Sequence, residues 1–96
     1  MVVGIIKLEL FIPEPNSLKA KRQILHSLIQ KIESKFKRIS LAEVDGHDLW
    51  QNAVIGISLV GKDKSYIDSK INALMDFLQK ESTFDIIKAE VDIINY

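Results

Sequence analysis

The chain has 96 residues, 47% of them apolar and 27% charged, with thirteen basic and thirteen acidic side chains and no cysteine. That length and apolar content fit one domain, residues 1–96, around a single core and exclude a disordered chain. The missing thiols exclude disulfides, thiolate metal sites and cysteine nucleophiles, and no run approaches the roughly 18–20 apolar residues of a membrane helix.

The N-terminal stretch "MVVGIIKLELFIPEP" lacks a basic segment ahead of its apolar residues, and Lys7 and Glu9 interrupt the run, so it does not read as a secretory leader. A cytoplasmic protein is the expectation. Its period is two: Ile6, Leu8, Leu10 and Ile12 share one face, with Val3, Ile5, Lys7, Glu9 and Phe11 on the other. Pro13 and Pro15 end this strand, since proline cannot donate to a ladder, and Asn16 or Ser17 offers a cap for a helix.

That helix runs to about Phe36, with Leu18, Leu25, Leu28, Ile29, Ile32 and Phe36 forming an apolar stripe, Ile24 off its edge and Lys21 near enough to need snorkelling. Residues 17–38 hold Lys19, Lys21, Arg22, Lys31, Lys35, Lys37 and Arg38 against Glu33 alone, although the whole chain is neutral. Such a face serves an anionic partner or simply solvates the helix. Lys19, Lys21 and Arg22 oppose the helix dipole in the first turns, where free amides and cations together grip phosphate. With Lys31 and Lys35 they form the candidate nucleic-acid-binding set. His26 falls on the polar side.

"RISLAEVD" reads as a short strand, "GHDLWQN" as a turn and "AVIGISLVG" as the next strand, with Ala53, Ile55, Ile57 and Leu59 on one face. Asp63 caps a second helix whose Ile67, Ile71, Leu74 and Leu78 recur at helical spacing. In the last strand, "FDIIKAEVDIINY", Ile87, Ala89, Val91 and Ile93 share one face. Lys88, Glu90 and Asp92 occupy the middle of the other, with Ile86, Ile94 and Tyr96 at its ends. The order strand, helix, strand, strand, helix, strand predicts an α+β, ferredoxin-like βαββαβ fold: a four-stranded antiparallel sheet with both helices on one face.

"EVDGHDLWQNA", residues 43–53, has two readings. If the strand continued through it, Glu43, Asp45 and His47 would share a face beside Asp48, an oxygen-rich set suited to magnesium or manganese, or to proton transfer. Alternatively Gly46 breaks the alternation, Asp45 and Asp48 bond nearby amides, Leu49 and Trp50 fold back as a lid over the sheet end, and Gln51 ties loop carbonyls. No resident metal or other cofactor is expected. The strands lack the exposed aromatics of an RNA-recognition sheet, the first turn is no glycine-rich phosphate loop, and no Ser–His–Asp set suggests itself.

"SLKAKR" and "AEVDGHDLWQNA" together resemble the YlxP-like family of small bacterial proteins of unknown function. The likeness spans essentially the whole chain in length and element order. It is most specific at Ala42-Glu43-Val44-Asp45, then Asp48-Leu49-Trp50-Gln51 and Ala53, with residues 17–22 in support. The resemblance implies a ferredoxin-like protein of the bacterial cytoplasm, encoded near translation and ribosome-maturation factors, hence an RNA- or ribosome-associated setting; it brings no catalytic residues. The expected function is a non-enzymatic module that binds RNA or a ribonucleoprotein through the first helix. A metal-dependent protein using the acidic turn and a protein–protein scaffold are the alternatives. A homodimer is also expected, because Val3, Ile5, Phe11, Val54, Val60, Ile86, Ile94 and Tyr96 would leave apolar margins around an open sheet face. No membrane and no small-molecule substrate is implied.

Overall fold

The structure is a computed structural model describing residues 1–13 and 15–96. Its elements are β1 (Val2–Phe11), α1 (Leu18–Lys35), β2 (Ile39–Asp45), β3 (Asn52–Gly61), α2 (Lys64–Gln79) and β4 (Asp85–Asn95). The strands form one sheet in the order β2-β3-β1-β4 with every neighbouring pair antiparallel. This is the βαββαβ, α+β arrangement that the period changes predict.

Local chemistry sets the boundaries. Ser17 accepts a hydrogen bond from the Ala20 amide at 3.1 Å and Asp63 from the Tyr66 amide at 2.8 Å, so each helix opens on a side-chain cap. Alternation in β1 sends Ile6, Leu8 and Leu10 to the helix side, where they join Ala53, Ile55, Ile57 and Leu59 of β3. Leu25, Leu28 and Ile32 of α1 and Ile67, Ile71, Leu74 and Leu78 of α2 close the same core. Gly4 lets α2 approach: a Cβ there would stand 2.8 Å from Ile67 Cγ2. No helix among the described residues is long and apolar enough to cross a membrane.

Two register shifts alter the simple alternation. Against β1, Glu9 faces Lys88 but Leu10 faces Ile86, which makes Ile87 an extra residue in β4. Ile86 therefore lies on the helix side and packs against the core, rather than at the margin of the open face where strict alternation puts it. The second shift falls in β2, between Glu43 and Asp45.

Candidate functional site

The two family-like stretches meet in space. The buried stripe of α1 is Lys21, Leu25, Leu28 and Ile32, at steps of four, three and four. Lys21 thus heads the stripe, and it is 0% exposed. Its ammonium donates to the Gly46 carbonyl at 2.5 Å and lies 3.1 Å from Glu43 Oε2. That oxygen is buried without an aligned hydrogen bond among the described residues. The contact with Glu43 is therefore a charge pair, and the directed bond goes to Gly46. A dehydrated ammonium costs several kcal/mol unless a counter-charge and acceptors replace its water; Glu43 and the Gly46 carbonyl supply both.

Register explains how Glu43 reaches it. Glu43 is opposite Ile55 on the helix side, whereas Asp45 is opposite Val54 on the open face, so Val44 is the extra residue. Val44 lies over Gly56, where a Cβ would come 3.0 Å from Val44 Cγ1. The expectation of Glu43, Asp45 and His47 on one face is thus corrected: the bulge reverses the parity after Glu43.

The turn itself is held by backbone. Asp45 Oδ1 accepts from the Gly46 amide at 2.8 Å, and Gly46 adopts φ 77°, which suits a residue without Cβ. The Leu49 amide donates to the Gly46 carbonyl at 3.0 Å, and the Ile12 amide donates to the Gln51 carbonyl at 2.7 Å. Gln51 thus contributes main chain, while its side chain is exposed. His47, Asp48, Leu49 and Trp50 are exposed as well, Trp50 by 54%. The expected lid is therefore not formed. Ile12, Ala53 and the Lys21 stem, each 0% exposed, are what the structure buries near this end.

The chemistry of the acidic turn reflects this dispersal. Glu43 is committed to Lys21, and Asp45 lines an open-face cleft of about 300 Å³ with Lys7, Glu9, Val54, Lys88 and Glu90. Among the described residues, no three His, Asp or Glu side chains converge as a metal would require. The basic set divides too. Lys19, Arg22, Lys31 and Lys35 are exposed, with Lys31 3.5 Å from Glu81 and the Lys35 ammonium 5.0 Å from the Phe77 ring centroid. Lys21 is corrected out of the phosphate-binding set, because an ammonium sealed from solvent cannot meet a phosphate. The signal that identifies it is its spacing: it stands four residues before Leu25 and eleven before Ile32, as a core residue would.

Residues 3–91 match the family model described as "Protein of unknown function (DUF503)". The chain is also 26% identical over 77 residues to "Uncharacterized protein YlxP" of Bacillus subtilis (strain 168), covering 80% of this chain and 83% of that protein.

Proposed function

The chain belongs to the DUF503 family of proteins of unknown function, and from that premise we propose that it is a non-enzymatic module binding single-stranded RNA, free or on a ribonucleoprotein surface. Binding takes place at the end where α1 meets the β2–β3 turn. The observation that carries this reading is Trp50: a large indole, 54% exposed, on a turn fastened through Gly46 to the first turn of a basic helix. Lys19 and Arg22 project from that same helical turn into solvent, and Lys31 and Lys35 continue the basic face.

The chemistry suits unpaired bases. An exposed indole offers a stacking platform indifferent to base identity, worth about 1–3 kcal/mol per base. Adjacent cations neutralise phosphates and release counterions, so affinity falls with salt by roughly 0.7 logarithmic units per contact for each tenfold rise. The middle of the open sheet face carries Lys7, Glu9, Lys88 and Glu90, charged side chains rather than the aromatics on which bases stack.

Fluorescence anisotropy with a labelled single-stranded oligoribonucleotide tests the reading. At low salt the wild type binds, Trp50→Ala weakens binding about tenfold or more, and Lys19→Gln/Arg22→Gln lowers the salt slope by about 1.4. Absence of binding at low salt, or binding indifferent to both variants, overturns it.

A further inference from the structure

The outer edge of β4 is unusual for this molecule. On β1, the helix-side residues Ile6, Leu8 and Leu10 are buried, yet Ile87 and Val91 of β4 are 53% and 48% exposed and Ala89 is exposed between them. Ala89 also lines a groove of about 390 Å³ between α2 and β4, with Met75, Leu78, Phe84 and Ile86. The strand is eleven residues long, contains neither proline nor glycine, and among the described residues pairs only with β1. Unpaired edges of this kind are usually blunted by shortness, bulges or proline. The opposite edge, β2, is shortened to seven residues with a bulge at Val44, whereas the bulge of β4 at Ile87 leaves residues 88–95 in unbroken register with β1.

We infer that β4 pairs antiparallel with β4 of a second copy of the chain about a two-fold axis centred on Ala89, joining two sheets into one of eight strands. Charge selects both the partner and the register. A two-fold normal to the sheet pairs residues symmetrically about its centre, and facing side chains share a sheet face. Centred on Ala89, Lys88 faces Glu90 of the partner subunit and Glu90 faces Lys88 of the partner subunit. Val91, on the helix side opposite Ile6, then lies across from Ile87 of the partner subunit. Centring one residue earlier puts Lys88 against itself, one later puts Glu90 against itself, and two later sets Glu90 against Asp92. Centring on Glu90 would also set Lys88 against Asp92 of the partner subunit, but the Ala89 register alone among these pairs opposite charges without setting like charges face to face. Lys88 and Glu90 are free to change partners, since their mutual contact within one chain is a 3.4 Å pair between exposed side chains.

This places the expected dimer at an edge rather than on the open face. Pairing of this kind is independent of RNA binding, because β4 carries neither Trp50, on the β2–β3 turn, nor the cations of α1.

Sedimentation equilibrium at tens of micromolar, with three variants, provides the test. The wild type should sediment at twice the chain mass, Lys88→Glu at the monomer mass, and Lys88→Glu/Glu90→Lys at the dimer mass again. The chain has no native cysteine, so Ala89→Cys should cross-link to itself under mild oxidation while Val91→Cys does so many-fold less. A monomeric wild type overturns the proposal. So does a dimer that persists in Lys88→Glu, which would move the interface to another surface, or cross-linking that favours Val91→Cys.

Discussion

The two halves of the molecule, β1–α1–β2 and β3–α2–β4, repeat one order of elements and fill one position in opposite ways. The buried stripe of α1 is Lys21, Leu25, Leu28 and Ile32, and that of α2 is Ile67, Ile71, Leu74 and Leu78, with the same four-three-four spacing. Lys21 therefore occupies in α1 the slot that Ile67 occupies in α2, and both are 0% exposed. Beneath Ile67 the sheet thins to Gly4, so that methyl groups seat directly on backbone. Beneath Lys21 it supplies a carboxylate and a carbonyl, from Glu43 and Gly46. Apolar packing is non-directional, whereas a dehydrated ammonium accepts few arrangements. The first half thereby fixes where its turn sits, and that turn is the one that holds Trp50 out to solvent.

The largest effect should come from exchanging the chemistry of the two slots. Ile67→Lys buries an ammonium in the apolar cluster that holds Ile71, Leu74 and Leu78, and a loss of about 5 kcal/mol or more in urea unfolding is expected. A loss below about 2 kcal/mol would mean that the second slot is not closed. Lys21→Ala should cost about 3 kcal/mol by the same measurement, because it strands Glu43 and leaves the Gly46 carbonyl with only the Leu49 amide. Removing both charges sharpens the comparison: Lys21→Met/Glu43→Leu should unfold within about 1 kcal/mol of the wild type, since an apolar pair of similar volume replaces an ion pair at little net cost. If that double variant is as unstable as Lys21→Ala, the charge pair itself is a net stabiliser. Smallest is Trp50→Ala, expected to shift the unfolding free energy by less than about 0.5 kcal/mol, as for an exposed side chain. A loss of about 3 kcal/mol or more, typical of truncating a buried aromatic, would return the indole to the lid role.

The fold is legible in the sequence because its periods are clean. β1 alternates over nearly its whole length, the α2 stripe has no polar interruption, Asp63 announces the helix it caps, and of Asn16 and Ser17, the two candidates for the first helix, Ser17 is the cap that forms. The site is less so, for two physical reasons. A single inserted residue, Val44 in β2 or Ile87 in β4, switches neighbouring side chains to the opposite sheet face, and nothing in residue type distinguishes a bulge from regular strand. That is why Glu43 and Asp45 separate and why Ile86 joins the core. Lys21 is misread for another reason: residue type argues for the surface while spacing argues for the core, and its counter-charge lies 22 positions away in β2. Where the two conflict at a stripe position, spacing gives the geometry, and a carboxylate at an inward position of a neighbouring strand is the partner to seek.

Trp50 is the chain's only tryptophan, so its own emission reports directly on whether the exposed turn, rather than the buried pair behind it, makes the contact with a ligand. The decisive measurement is a titration of that emission with single-stranded RNA at low salt. The predicted result is a solvent-exposed spectrum that quenches saturably as bases stack on the indole and recovers when salt is raised. An emission spectrum unchanged by RNA at concentrations that saturate anisotropy, or by RNA altogether, would contradict the assignment of binding to this end of the molecule.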